Sequence, residues 1–320
     1  MSDLDFNMDV IGFTTPEIDL VIHEAADKNQ KAAEPEREDL LPGLPHGPVT
    51  SRLGDLWQLG KHRLICADAT DEAAIARLMD GKQVRMVLTD PPYNVKIKGF
   101  VSGLGKVKHR EFAMASGEMD DAAFREFLVK ATKTAVAHLV DGGLLYGFID
   151  WRGLAIYHAA LTDCGLSQVN LAVWNKLTGG MGSLYRSQHE LCVISKNGTA
   201  PHINQVQLGS NGRYRTNVWD HPGMASFGKG RDESLSMHPT VKPVGLLVEA
   251  IKDVTDIGDI VVDTFLGSGS TLIAAQKCHR VCYGSELDPI YADAIIRRFE
   301  TLTGIEAVHI ETGLTFAQMT

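Results

Sequence analysis

Apolar positions along this chain recur with two periods, and the two periods alternate. Runs at 63–66, 84–89, 143–148, 168–174, 190–195, 260–263 and 280–285 are short and nearly continuous in apolar residues, which is the pattern of strands buried in a sheet. Between them, 72–79, 122–139, 154–161, 244–252, 271–277 and 289–301 repeat apolar residues at helical spacing. The segment 122–139 carries Phe124, Phe127, Leu128, Ala131, Ala135 and Leu139 on one stripe. Strands alternating with helices predict an α/β fold, a mostly parallel sheet with helices on both faces. Such sheets bind ligands beyond the carboxyl ends of their strands, so chemistry is expected just after Thr89, Asp263 and Ser285.

Two stretches lack this rhythm. Residues 1–50 mix acidic runs with Pro42, Gly43, Pro45, Gly47 and Pro48, too little apolar surface to offset the entropy of ordering; they are expected to be a flexible extension, with a short helix over 15–26 around Ile18, Val21 and Ile22. Residues 51–320 form the folded domain, and within it 197–237 is rich in Gly and Asn without a sustained period. Charge divides the same way. The net charge is −9, but residues 1–50 hold 11 of the 40 acidic and three of the 31 basic residues, leaving the rest near neutrality at −1. An acidic tail and a neutral body remain compatible with an anionic partner. No run approaches the roughly 18 apolar residues of a membrane span and the N-terminus lacks a basic-then-apolar leader, so a cytoplasmic protein is expected. The five cysteines (66, 164, 192, 278 and 282) show no paired spacing and are read as reduced, buried apolar residues; no metal site is expected.

The stretch from Ile260 to Thr271 reads as strand, glycine turn and helix start, with Asp263, Phe265, Gly267 and Gly269 in the turn. No lysine is present, against a triphosphate-binding loop, and Leu272 stands where a dinucleotide fingerprint needs its third glycine. The next strand ends at Glu286, a carboxylate suited to the two hydroxyls of a ribose. A glycine turn without phosphate-binding features plus a ribose acid suggests a phosphate-free nucleoside such as S-adenosylmethionine. Glu286 has a second reading as a cap for the helix at Pro289, and Asp263 one as an ordinary turn residue.

Asp90-Pro91-Pro92-Tyr93 follows the strand 84–89 directly. Two prolines stiffen the backbone and end the strand. A rigid carboxylate beside a carbonyl could accept both N–H bonds of an exocyclic amine, turning a delocalised, poorly nucleophilic nitrogen toward sp³ geometry, while Tyr93 stacks on the base at about 1–3 kcal/mol. A base inside a duplex would first have to be flipped out. Taken alone, the tetrapeptide is equally an ordinary turn.

With Asp90-Pro91-Pro92-Tyr93 first, His238-Pro239-Thr240-Val241-Lys242-Pro243 next and Asp263-Thr264-Phe265-Leu266-Gly267-Ser268-Gly269 last, the chain resembles the beta class of amino-group DNA methyltransferases over about residues 53–303. The resemblance implies a Rossmann-like methyltransferase fold with circularly permuted motif order, S-adenosylmethionine as cofactor, double-stranded DNA as partner, and methylation of adenine N6. The alternatives are cytosine N4, an RNA or protein amide, and a non-catalytic DNA-binding protein. It implies further that Asp68 and Phe265 contact the adenine end of the cofactor and that Lys242 lies near its methionine carboxylate, although Ala67 replaces the family's glycine. A homodimer and a cognate restriction endonuclease are partners the resemblance allows.

Two basic segments are candidates for holding DNA. The first, 96–118, carries Lys96, Lys98, Lys106 and Lys108 beside Gly99, Gly103 and Gly105 and is expected to be a mobile loop over the base, touching phosphates. The second, 178–237, is the candidate target-recognition insert, in which Arg213, Arg215, Asn211 and Asn217 could read base edges.

Overall fold

The computed structural model describes residues 37–39, 48–95, 117–179, 184–210, 212–223 and 241–320. Ten strands form one sheet: β1 (Leu56–Leu59), β2 (His62–Cys66), β3 (Val84–Thr89), β4 (Leu139–Ile149), β5 (Ser167–Asn175), β6 (His189–Lys196), β7 (Val218–Asp220), β8 (Ile260–Asp263), β9 (Val281–Glu286) and β10 (Ala307–His309). Their order across the sheet is β10-β1-β2-β9-β8-β3-β4-β6-β5-β7. The centre, β2-β9-β8-β3-β4, is parallel throughout, as the alternating pattern predicts, while β1, β6 and β10 join in antiparallel sense.

Seven helices are described: α1 (Glu72–Met79), α2 (Asp121–Val136), α3 (Leu154–Asp163), α4 (Val244–Val254), α5 (Ser270–Lys277), α6 (Pro289–Thr303) and α7 (Phe316–Met319). The first three cover one face of the sheet, where Ile75, Leu78, Phe124, Leu128 and Leu161 pack on Ile65, Val87, Leu145 and Val262. On the other face Leu247, Ile251, Leu272, Ile295 and Phe299 from α4, α5 and α6 pack on Leu64, Met86, Leu88 and Val261. Alternate residues of β3 thus meet different helices, and burial of both faces is why its sequence is apolar nearly throughout. Aspartates start the helices: Asp71, Asp120 and Asp288 each accept a first-turn N–H, capping α1, α2 and α6. No helix among the described residues is long and apolar enough to cross a membrane.

Three expectations change. Residues 37–39 and 48–50 belong to the domain and not to a flexible extension. Asp39 is buried and accepts the N–H of Val244 at 2.8 Å, the first residue of a helix whose own cap position, Pro243, offers no side-chain acceptor. The buried Arg298 donates to the carbonyls of Glu38 (2.6 Å) and Ser268 (2.7 Å), and the amides of Thr50 and Ser51 donate to the buried Asp293. The remaining acidic residues before Arg37, and the helix expected over 15–26, lie outside the described residues. The span 178–237 is not one insert, since 189–196 is β6, an interior strand between β4 and β5. The short strands β1, β7 and β10 appear where periodicity marked none, because three or four residues are too few to display a period.

Asp39 supplies the missing cap of α4 with a negative charge at the positive end of that helix. Replacing it with Ala should lower the unfolding free energy by about 1 kcal/mol, read from the urea midpoint; an unchanged midpoint would show that the N-terminal contact contributes nothing to stability.

Candidate active site

The strands β8 and β3 lie side by side, yet the chain leaves them in opposite directions. β8 continues through α5 to β9 on one flank, and β3 through α2 to β4 on the other. Such a reversal opens a crevice beyond the carboxyl ends of the two strands. The glycine turn follows one of them and Asp90-Pro91-Pro92-Tyr93 the other, with a hydrogen bond from Thr89 Oγ1 to Asp263 Oδ1 of 3.1 Å joining the two.

On the glycine side, Gly267 (φ +54°) and Gly269 (φ +81°) adopt left-handed conformations that disfavour a side chain. The Glu286 carboxylate reaches back across the turn, accepting the N–H of Gly267 and that of Asp288, both at 2.9 Å. Burial, reinforced by the charges of Asp288 and Asp263, pushes this carboxyl up to about 7 against the pull of those two amides. Asp263 is buried and already engaged, with Oδ1 accepting from Thr89 and the Phe265 amide and Oδ2 from Thr271 Oγ1 at 2.7 Å. Burial raises it to about 6. Phe265 packs edge-to-face on Phe127 with ring centres 5.9 Å apart. Asp68 stands beyond the adjacent end of β2 and accepts from the Thr70 amide and hydroxyl.

On the other side a cluster of charges is withdrawn from water. Lys242, 5% exposed and just ahead of α4, places its ammonium against Asp90 Oδ2 and 3.0 Å from Glu190 Oε2. The Tyr93 hydroxyl is 2.7 Å from Asp90 Oδ1 and 3.2 Å from Glu190 Oε2. Lys176, at the end of β5, donates to Glu190 Oε1 at 2.5 Å. Phe148 and Trp174 wall the Lys242 ammonium, their ring centres 4.9 and 5.9 Å away. Burial alone would raise Glu190, yet Lys242 and Lys176 outweigh it and hold that carboxyl down at about 2. Asp90 goes the other way: burial and the Glu190 charge raise it above the ordinary carboxylate value despite Lys242.

Residues 84–297 match the family described as DNA methylase. The chain belongs to that family. It is 30% identical over 207 residues to the putative methylase YubD of Escherichia coli K12, covering 65% of this methylase and 78% of that protein. Among solved structures it is similar to the putative DNA modification methylase TTHA0409 of Thermus thermophilus complexed with S-adenosyl-L-methionine (TM-score 0.54, 22% identity, covering 79% and 96% of the two chains). It is also similar to the cytosine-N4-specific PvuII DNA methyltransferase (TM-score 0.58, 15% identity, covering 78% and 90%). The Rossmann-like methyltransferase fold expected from the motifs is the fold observed.

In this methylase the crevice gathers Asp90, Pro91, Pro92 and Tyr93 on one side and Asp263, Phe265, Gly267, Gly269 and Glu286 on the other. Asp263 has the turn role that its position also allowed, since three donors of its own chain occupy its carboxylate. The cap of α6 is Asp288, not Glu286. Lys242, expected beside the cofactor carboxylate, directs its ammonium to Asp90 and Glu190.

The two arginines expected to read DNA are turned inward. Arg213 is 9% exposed and bonds Asp253 Oδ1 at 2.6 Å and Glu249 Oε2 at 3.1 Å, and Arg215 Nε bonds Asp253 Oδ2 at 2.8 Å. They anchor the 212–217 segment to α4, because a buried aspartate there needs countercharge. Asn217 donates to the Leu171 carbonyl at the sheet edge, whereas Asn211 lies outside the described residues. So do Lys96, Lys98, Lys106 and Lys108. At the boundaries of that basic segment Asn94 (φ +54°) donates to the Met119 carbonyl at 2.7 Å and accepts the Gly117 amide at 3.0 Å, holding residues 94 and 117 together. Glu190, Lys176, Trp174 and Phe148 escaped sequence reasoning as site residues. One signal was available, a carboxylate at the head of the otherwise apolar run Leu191-Cys192-Val193-Ile194.

Only the ionised form of Glu286 accepts from two ribose hydroxyls, and its carboxyl sits at about 7 in the free protein. Affinity for S-adenosylhomocysteine should therefore rise between about pH 6 and about pH 8, as the proton leaves, and level off above. Glu286→Gln should bind about 10-fold more weakly and lose this dependence. Calorimetric titration reads both; a wild-type affinity flat across that range would dismiss the carboxylate as a ligand group.

Proposed function

We infer that this methylase transfers a methyl group from S-adenosylmethionine to the exocyclic amine of a base flipped out of double-stranded DNA, with adenine N6 as the target. The observation that carries the reading is the placement of Asp90-Pro91-Pro92-Tyr93 beside the glycine turn in a single crevice, the two loops joined through Thr89 and Asp263.

The residues of the crevice suit such a cofactor. The turn from Asp263 to Thr271 contains no lysine or arginine, and the buried Asp263 and half-buried Glu286 carboxylates would repel phosphate, so the ligand there is a nucleoside without phosphates. Glu286 would hold the ribose, Phe265 and Asp68 the adenine end. When bound, S-adenosylmethionine supplies a methyl group on a sulfonium centre, electrophilic enough to need no covalent enzyme intermediate.

The chain's own residues prepare the nucleophile. The Asp90 carboxylate and the Pro91 carbonyl accept the two N–H bonds of the amine, drawing the nitrogen lone pair out of conjugation with the ring. Two prolines keep those acceptors from relaxing toward the base, and Tyr93 stacks on its face. The aromatic walls Phe148 and Trp174 keep water away, which strengthens each of these interactions. Lys96, Lys98, Lys106 and Lys108 would contact phosphates next to the target.

The similarity to a cytosine-N4-specific enzyme supports a second reading in which the same acceptors grip a cytosine amine. One experiment addresses both. Transfer of labelled methyl from S-adenosylmethionine to DNA from a methylation-free host, followed by digestion to nucleosides, should yield N6-methyladenine. N4-methylcytosine would replace the base assignment while leaving the acceptor chemistry intact. Asp90→Ala should lower transfer by about 10³-fold or more with cofactor affinity preserved; transfer at the wild-type rate would remove Asp90 from the reaction.

A further inference from the structure

Asp90 as it stands has a donor on each oxygen: Lys242 on Oδ2 and the Tyr93 hydroxyl on Oδ1. Each oxygen keeps a second lone pair, yet a target amine has to share it with a donor of the protein itself, which weakens the acceptor offered to it. The Tyr93 hydroxyl carries one proton and can donate it to one carboxylate at a time. Two carboxylates are within its reach, Asp90 Oδ1 at 2.7 Å and Glu190 Oε2 at 3.2 Å. Lys242 is shared in the same way, contacting Asp90, Glu190 Oε2 at 3.0 Å and the Tyr93 oxygen at 3.3 Å.

We propose that Glu190 is a positioning residue for methyl transfer: it takes over the Tyr93 hydroxyl and draws the Lys242 ammonium toward itself, freeing Asp90 Oδ1 to accept the N–H of the target amine. This rests on the reading of Asp90 as the amine acceptor. The exchange conserves hydrogen bonds, because Tyr93 donates to Glu190 where it donated to Asp90, and the amine fills the vacated position. No buried acceptor is left bare, which would otherwise oppose base entry. The same bond fixes the Tyr93 ring by its hydroxyl end, so the face offered to the base keeps one orientation.

Glu190 is built for this role. It is 7% exposed, it heads an interior strand, and Lys176 holds its far oxygen Oε1 at 2.5 Å, which leaves Oε2 aimed at Tyr93 and Lys242. Two ammoniums keep it ionised over the whole working range, an acceptor at every pH at which the enzyme would act. Its charge also acts on Asp90. The groups facing Asp90 are Lys242 ahead of α4, Glu190 and Cys192 on β6, Tyr93 in its own loop, Tyr157 on α3 and Asp263 on β8. Lys242 favours the ionised form of Asp90 and Glu190 disfavours it. Removing the Glu190 charge leaves Lys242 wholly to Asp90 and makes that carboxyl more acidic, whereas removing the Lys176 charge makes it less acidic.

Steady-state methyl transfer measured against pH, with single turnovers to isolate the chemical step, tests the assignment. Glu190→Gln is expected to lower kcat by about 10- to 100-fold, with the Kd for S-adenosylhomocysteine and the KM for DNA within about two-fold of wild type, and to move the acid limb of the kcat profile to lower pH. Lys176→Met, at a partly exposed side chain, is expected to move that limb to higher pH, and Glu190→Asp to restore part of the lost rate. In a Tyr93→Phe background, which lacks the shared proton, Glu190→Gln should cost much less than it does alone. Opposite displacements of the acid limb are what a merely structural glutamate would not produce. Unchanged kcat together with an unmoved acid limb in Glu190→Gln overturns the proposal. Should that variant fail to fold, an unmoved limb in Lys176→Met overturns it equally. Absence of any methyl transfer by the wild-type chain is a different failure, which would strike the reading of Asp90 itself.

Discussion

Asp90 closes a strand whose central residues Met86, Val87 and Leu88 are buried, and a carboxylate in such surroundings costs several kcal/mol unless its charge is met. Much of the site follows from that constraint. Lys242 meets Asp90, Glu190 meets the surplus of Lys242, and Lys176 meets what remains of Glu190, so that two acids and two bases balance behind aromatic walls. Each charge holds the next in place. An acceptor that must not rotate away from an amine is thereby fixed by a lattice of ions as well as by two prolines.

The sheet brings these groups together because strand direction decides which ends of strands meet. The parallel strands deliver Thr89, Ile149, Asn175, Asp263 and Glu286 to one edge. β6 runs against β4 and β5, so its first residues, not its last, arrive at that edge. The antiparallel strand therefore delivers Glu190 from its amino end, which a uniformly parallel sheet would place at the opposite edge. The divergence of the connections that leave the parallel strands β8 and β3 then separates the two halves of the chemistry, nucleoside on one side and amine on the other.

Glu38 and Asp39 are docked: Asp39 caps α4, Arg298 takes the Glu38 carbonyl and the Ser268 carbonyl together, and Lys277 pairs with the Glu38 side chain at 3.5 Å. Through α4 this contact reaches Lys242, and through Arg298 it reaches the glycine turn. The segment is thus mechanically continuous with both sides of the crevice, although composition alone marks it as unable to fold.

By itself the sequence determined the central elements and the two loops that matter. Strands β3 and β8 and helix α1 have the bounds their periodicity predicts, because a strand buried on both faces and a helix buried on one write those periods into adjacent residues. Asp90-Pro91-Pro92-Tyr93 and the glycine turn are local as well, each a contiguous piece, although Glu286 and Arg298 from distant elements take up backbone groups of the turn. Tertiary structure alone decided the charge state and partners of the site, since Tyr93 meets Glu190 across 97 positions and Lys242 meets Asp90 across 152. It likewise turned Arg213 and Arg215 inward, to an aspartate some 40 residues away on α4. Charges carry no period, and a lysine or arginine reads the same whether it faces phosphate or a buried carboxylate. Only the pairing of distant strands and helices determines which of these it meets.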